Sequence, residues 1–193
     1  MTLRTREDEA SCLVGSAIAR WALQHLQGDI EALQLANAFR DGTAVCVSDG
    51  SLKGGLGTAA FILEGNDGIG RLQGVNKVPG PIKEGDSHRC EVSGLYAIAL
   101  LSNLICKAFN IPRGRARIAC DNIAALAICD PEYIPNVKHS SYDLVSATWE
   151  LIKESPLTWV PEHIKGHQDD WVDVSTLPRV AQMNVAMDHS AKI

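Results

Sequence analysis

The stretch that decides the fold is VCVSDGS, residues 45–51, where a short apolar, β-branched run ends at Asp49. Two further runs with strand composition follow, over residues 56–64 and 71–78. The glycine-containing turn sequences KGG and NDG separate the three runs. Consecutive strands joined by tight turns predict an antiparallel meander.

After the meander, helices alternate with strands. The predicted elements are helices over residues 88–109 and 140–154, a helix opening at Asp121-Asn122, a last helix from Pro178, and strands over residues 115–120 and 157–164. Three antiparallel strands followed by alternating helices and strands predict an α/β fold with a five-stranded mixed sheet flanked by helices.

The first 42 residues differ from the rest in their pattern of apolar residues. Apolar residues recur there at helical spacing, and no strand pattern is evident before Asp41-Gly42. We therefore expect a helical N-terminal extension over residues 1–42 and a second unit over residues 43–193.

Composition limits the class of protein. The chain has 193 residues, of which 46% are hydrophobic and 21% charged, which is typical of a globular domain and not of a disordered or fibrous one. No apolar run reaches the roughly 18 residues of a membrane span, and the charged N-terminus is no secretory signal. The six cysteines have neither CxxC nor zinc spacing, so we expect free thiols and an intracellular location.

The net charge of −5 excludes nucleic-acid binding through a generally basic surface. A local patch, a metal or a tether to another domain would be needed instead. The one basic concentration is formed by Lys107, Arg113, Arg115 and Arg117. The sequence leaves open whether these residues lie near the phosphates of a bound nucleic acid or simply at a solvated strand edge.

Four carboxylates occupy similar places in the predicted elements. Asp49 and Asp121 follow strands, at the carboxyl ends where open α/β sheets bind ligands. Glu91 lies in the first turn of the long helix, on the face predicted to cover the sheet, and Asp188 lies on the last helix. Each acid alone could be a turn former, a cap or a surface charge. The four together favour a cation site.

Chemistry agrees with that interpretation. Two like charges 4 Å apart repel by about 1 kcal/mol in water and about 4 kcal/mol at an effective dielectric of 20, so converging acids are costly without a cation. Mg²⁺ prefers oxygen ligands. Such a cluster makes little sense as structure alone and good sense as a cation site.

These motifs resemble ribonuclease H, and specifically the ribonuclease H domain of retroelement reverse transcriptases. The matching pieces, in the family's order, are VCVSDGS (45–51), RCEVSGLYA (89–97), IACDN (118–122), IKGHQD (164–169) and NVAMDHSA (184–191). The resemblance covers residues 43–193. It implies a ribonuclease H-like fold and hydrolysis of the RNA strand of RNA–DNA hybrids with two Mg²⁺ ions, or with Mn²⁺.

The resemblance also implies roles for individual residues. The metal ligands would be Asp49, Glu91, Asp121 and Asp188, and His167 would act as a mobile catalytic histidine that shuttles protons. The contacts to the hybrid would be made by Gly50, Ser51, Arg89 and Asn122. The family's basic helical handle is absent from the short residues 131–139. We therefore expect weak hybrid binding by the isolated, monomeric domain and tethering to a polymerase partner.

Two alternatives stay open. The chain could be another nuclease of the same fold, of the resolvase or transposase type, which uses a similar acidic set. It could also be a catalytically degenerate domain that binds hybrids or connects other domains. Degenerate copies lose members of the acid set, and all four acids are present here.

Overall fold

The computed structural model describes residues 25–27, 32–65, 68–80 and 86–192. Its strands are β1 (Leu26–Gln27), β2 (Ala44–Lys53), β3 (Leu56–Glu64), β4 (Leu72–Lys77), β5 (Gly114–Cys120) and β6 (Leu157–His163). Its helices are α1 (Ala32–Asp41), α2 (His88–Ala108), α3 (Ile123–Leu126), α4 (Tyr142–Lys153) and α5 (Arg179–Ala191). Short 3₁₀ turns lie at Ala127–Cys129, Gln168–Asp170 and Val174–Thr176.

All six strands form one mixed sheet in the order β1-β4-β3-β2-β5-β6. Strands β2, β3 and β4 are antiparallel neighbours, whereas β5 pairs parallel with β2, and β6 pairs parallel with β5. The expected α/β fold, with a mixed sheet of five main strands flanked by helices, is confirmed. The sixth strand is the two-residue β1 at the edge.

The N-terminal region differs from the expectation in two respects. Leu26–Gln27 is a strand that pairs antiparallel with Gly74 and Gln73, because the outer edge of β4 offers unpaired backbone groups. Helix α1 does form, but its buried side chains, such as Leu35 and Phe39, belong to the main core. The boundary at residue 42 therefore does not separate two cores. Residues 1–24 and 28–31 lie outside the described part of the chain.

Two layers of helices cover the sheet. Helices α1, α2 and α4 pack on the face that carries Cys46 and Ile118. Helix α5 packs on the opposite face, against Val45 and Val47 of β2 and Ile62 of β3. This alternation follows from the period of two along a strand, because successive side chains point to opposite faces.

Helix α2 is long and apolar enough to cross a membrane by length and composition alone. Of that apolar window 83% is buried inside the fold, so α2 is the central core helix. The five described cysteines are free and buried, as the sequence suggested, and Cys12 lies outside the described residues. Burial raises the pKa of the Cys129 thiol to about 12, which keeps it protonated and unreactive.

Two glycines let α2 approach β2 closely. A Cβ on Gly50 would lie 2.5 Å from the backbone of Cys90 and Glu91, and a Cβ on Gly94 would lie 2.6 Å from Ser48 Cβ. Any larger residue would push the helix away from the strand. The close contact places the first turn of α2, with Glu91, directly beside Asp49.

Candidate metal centre

Three of the four predicted ligands converge beside two neighbouring central strands of the sheet, β2 and β5. Asp49 lies in β2 and Asp121 immediately follows the neighbouring β5, while Glu91 projects from the first turn of α2. One carboxylate oxygen from each of the three lies within 4.8 Å of the other two. The sequence separates these residues by 30 positions or more, and parallel pairing of β2 with β5 brings them together.

The three carboxylates are crowded, and those of Asp49 and Glu91 are poorly solvated. Asp49 is 4% exposed and Glu91 is 6% exposed. Burial, with the charges of Asp121 and Asp188, raises the pKa of Asp49 to about 7. Burial, with the charges of Asp49 and Asp121, raises the pKa of Glu91 to about 9. The raised pKa values show that these side chains resist carrying their charges together in the absence of a cation.

The donor set fits a hard divalent cation. Glu91 Oε2 is buried and has no hydrogen-bond partner among the described residues, although it lies beside two other acids. Buried polar atoms in folded proteins are normally satisfied, and an orphan needs an explanation such as a missing ion. A carboxylate-only set suits Mg²⁺ or Mn²⁺ and does not suit thiolate-preferring metals.

Asp188, the fourth predicted ligand, lies next to this trio. It is 7% exposed on α5, and its negative charge contributes to the raised pKa of Asp49 and of Glu91. Its Oδ2 accepts a 2.6 Å hydrogen bond from Lys192 Nζ, one helical turn further on. Asp188 therefore faces the acids while its oxygen is held by a cation from its own helix.

Helix α5 is anchored at both ends, which fixes the position of Asp188. At the first turn, Arg179 Nε donates a 2.8 Å hydrogen bond to the buried Glu64 at the end of β3. At the last turn, Thr58 Oγ1 on β3 donates to the carbonyl of Ala191. The helix is thereby held along the sheet with its last turn at the acid cluster.

His167 lies at the rim of the cluster. Its Nδ1 is 3.7 Å from Asp188 Oδ2, and its side chain is 59% exposed. Its backbone is left-handed, with φ +51°, a conformation that is uncommon for residues other than glycine. The imidazole is thus exposed beside the acids, and its predicted role as a mobile catalytic histidine stays a prediction.

Sequence reasoning missed the residues that shape the Asp121 side of the site. A Cβ at Gly166 would overlap Asp121 Oδ2, so only glycine leaves room for this carboxylate in its observed position. The Nε2 atom of His163 lies 3.1 Å from the Asp121 carbonyl oxygen. Lys192 was also missed, although its i,i+4 spacing from Asp188 on a helix was a signal.

The four residues predicted to contact nucleic acid have different surroundings. Gly50 is packed against α2, and Ser51 is half-buried on β2. Asn122 Oδ1 accepts a hydrogen bond from the Ala125 backbone and caps α3. These three positions adjoin the acid cluster, and their role toward nucleic acid stays a prediction.

The structure gives Arg89 surroundings that differ from those expected of a contact to nucleic acid. It is 4% exposed, and its Nη1 and Nη2 donate to the two carboxylate oxygens of Asp143 at 2.7 and 2.8 Å. Its Nε donates to the Pro79 carbonyl at 2.8 Å. All of its nitrogens are thus engaged inside the protein, so Arg89 braces α2 against α4 and does not present its guanidinium to a ligand.

Comparisons with known proteins gave structural likenesses alone. No family model and no curated protein matches the chain. The N-terminal RNase H domain of a Mycobacterium tuberculosis protein, solved as a fusion with maltose-binding protein, is 19% identical and covers 77% of this chain and 96% of its own, with a TM-score of 0.46. RNase H1 from Halobacterium salinarum is 14% identical and covers 74% and 97%, with a TM-score of 0.48.

LC11-RNase H1, isolated from compost and solved with an RNA/DNA hybrid, is 16% identical to this chain. The overlap covers 66% of this chain and 91% of that one, with a TM-score of 0.42. The residues and the sheet order of the chain itself therefore have to support any assignment of function.

Proposed function

We propose that this protein is a metal-dependent endonuclease that hydrolyses the RNA strand of RNA–DNA hybrids. The observation that carries the proposal is the convergence of Asp49, Glu91 and Asp121 within 4.8 Å, with a buried orphan oxygen on Glu91. Such a cluster is unfavourable as structure alone and has the donor chemistry that phosphodiester hydrolysis needs.

The acid trio would hold the metal, and Asp188 would complete the set from α5. Bound divalent cations would supply an activated water and would stabilise the charge that develops on the phosphate. Lys192, already 2.6 Å from Asp188, would exchange that partner for a phosphate oxygen. The imidazole of His167 would exchange protons at the leaving oxygen, which an exposed group at the rim can reach.

Recognition of the hybrid would involve the backbone around Gly50 and the side chains of Ser51 and Asn122. These positions border the acid cluster at the ends of β2 and β5. A hydroxyl and an amide can each hydrogen-bond a ribose 2′-OH, the group that distinguishes RNA from DNA. Arg89 is left out of this set because its donors are engaged by Asp143 and Pro79.

We further propose that the domain works attached to a reverse transcriptase polymerase. Residues 130–141, between the 3₁₀ turn after α3 and helix α4, contain no helix, so no basic handle stands beside the site. The net charge of −5 also disfavours tight binding by the domain alone. A covalent tether would compensate by raising the effective concentration of the hybrid.

The deciding experiment is incubation of the protein with labelled RNA–DNA hybrid, double-stranded DNA and single-stranded RNA, with Mg²⁺, with Mn²⁺ and with chelator. We expect endonucleolytic cleavage of the RNA in the hybrid, dependent on the divalent metal. Cleavage of double-stranded DNA instead would favour the resolvase-type alternative. Binding without cleavage in either metal would favour a degenerate hybrid-binding domain.

A further inference from the structure

Within the described residues, no helix covers part of the sheet face on which α5 packs. Helix α5 packs on β2 and β3, and on β5 and β6 the same face carries the exposed Arg115, Arg117 and Thr158 and the half-buried Glu162. Sheets with parallel strands are normally covered on both faces. An uncovered face on the parallel pair β5–β6 is therefore a surface that a partner could cover.

The register shows that the arginines belong to this face and not to a strand edge. Arg117 lies beside Val45 on β2 and beside Val160 on β6, and Val45 packs in the α5 cluster. Strand β5 lies between β2 and β6, so it is interior. The sequence left two interpretations of these arginines, a contact to phosphates or a solvated strand edge. The interior position of β5 excludes the strand edge.

The charge of this surface is positive. Arg113, Arg115 and Arg117 lie two residues apart, and no hydrogen bond or ion pair engages Arg113 or Arg115 within the described part of the chain. Arg117 Nη1 lies 3.5 Å from Glu162 Oε2, with both side chains more than 40% exposed, which makes a weak surface pair. On a chain of net charge −5, this arginine face is a local site for a polyanion.

We infer that the arginine face, formed by Arg115 and Arg117 on β5, binds the phosphate backbone of nucleic acid outside the acid cluster. The inference rests on the proposed function for the identity of the polyanion. Strand β5 leads from these residues to Asp121: at about 3.3 Å per residue, Arg117 lies about 13 Å and Arg115 about 20 Å away along the strand. These distances correspond to roughly four to six nucleotide steps of 3.4 Å.

The test uses Arg115→Gln/Arg117→Gln and measures binding of fluorescent RNA–DNA hybrids of 24 and 6 base pairs by anisotropy in chelator. We expect the dissociation constant for the long hybrid to rise about tenfold, and that for the short one to rise less, because its span of about 17 Å reaches from the acid cluster to Arg117 but not to Arg115. The slope of log K against log salt should fall by about 1.8 for two lost phosphate contacts.

Two control variants make the test specific. Arg71→Gln/Lys107→Gln removes the same charge from exposed positions elsewhere and should change binding less than twofold. Arg115→Lys/Arg117→Lys keeps the charge and should retain the affinity for the long hybrid. Equal losses in Arg115→Gln/Arg117→Gln and in the Arg71/Lys107 control, no loss at either length, or no wild-type binding would overturn the inference.

The outcome for the arginine face is separable from that for the proposed function. If the wild type fails to cleave hybrids but Arg115→Gln/Arg117→Gln still weakens long-hybrid binding, the nuclease proposal fails and the binding inference is supported. If polyglutamate binds the wild type more tightly than the hybrid, and the glutamine variant loses that binding, the face serves an acidic protein and the inference is overturned.

Discussion

The two ends of helix α2 have opposite chemical character. At its first turn, Glu91 lies beside two other carboxylates, and one of its oxygens is buried with no hydrogen-bond partner among the described residues. Near its last turn lies a groove lined mainly by apolar side chains, including Leu100, Leu104 and Ile111. Ordinary packing of apolar side chains is enough to explain the groove. Burial of like charges, in contrast, is costly unless something compensates for it. We therefore place the proposed site at the charged end of α2, because the convergence of carboxylates needs an explanation that the groove does not need.

The largest expected effect comes from Asp49→Asn at the charged end. This substitution removes one ligand charge and keeps the shape, so we expect cleavage of the hybrid in Mg²⁺ to fall by roughly 10²–10³-fold or more. In chelator the same variant should melt at a higher temperature, because repulsion among the acids is relieved.

The matched control is Glu154→Gln, which makes the same chemical change at the rim of the groove. Both variants are measured by single-turnover cleavage and by thermal melting. Wild-type activity in Asp49→Asn, or a lower melting temperature in chelator, would mean that Asp49 is a structural acid and that the two ends of α2 do not differ as described.

A smaller effect is expected from Gly166→Ala, which tests how the charged end is shaped. The added methyl group would occupy the space of Asp121 Oδ2 and displace this carboxylate from its two partners. We expect about tenfold weaker Mn²⁺ binding by calorimetry and a similar fall in cleavage, with little change in melting temperature in chelator.

A double-mutant cycle separates this steric effect from general damage. In an Asp121→Ala background the methyl group meets no carboxylate, so Gly166→Ala should have no further effect on Mn²⁺ binding. An equal loss in both backgrounds would show that Gly166 acts through the loop backbone and not through Asp121.

The pH dependence of stability should also differ between the two ends. The folded-state pKa values of Asp49 and Glu91, about 7 and about 9, lie above the ordinary values of about 4 for unfolded carboxyls. The folded chain therefore binds more protons, and in chelator the free energy of unfolding should fall as the pH rises from about 4 to about 9.

Urea unfolding at pH 5 and pH 8 measures this effect. We expect the wild type to lose at least about 1 kcal/mol more than Glu91→Gln over this interval. Saturating Mg²⁺ should remove the difference, because a bound cation favours the charged carboxylates. A wild-type stability that rises relative to Glu91→Gln would contradict the crowded-acid interpretation.

The sequence was sufficient for the main sheet because its strands and helices have strong local patterns. Glycine-containing turn sequences indicated the antiparallel meander, and apolar residues at helical spacing indicated the long helix. Strand β1 could not be predicted, since a two-residue strand has no period of its own and exists because β4 offers an edge. The main-core role of α1 was hidden for a related reason: a helical pattern shows that a face is apolar but not which surface covers it.

For the candidate site, sequence position located the acids and tertiary contacts decided the rest. Asp49, Glu91 and Asp121 could be located because they lie near the ends of strands and helices, and local sequence patterns reveal those ends. Arg89 was misassigned because its partner, Asp143, is 54 residues away and no local signal links them. The role of Gly166 toward Asp121 was hidden likewise, because it depends on β6 lying beside β5.

The smallest effect is expected at the apolar end of α2. Leu104→Gln places a polar group in the groove, at a half-buried position without titratable chemistry. Loss of this partly buried apolar area should cost roughly 1 kcal/mol of stability and leave the acids untouched. We therefore expect hybrid cleavage within twofold of wild type and an unchanged requirement for Mg²⁺, measured under the same single-turnover conditions as Asp49→Asn. A loss of tenfold or more, with the fold intact by circular dichroism, would show that the groove takes part in the reaction and would remove the contrast between the two ends of the helix.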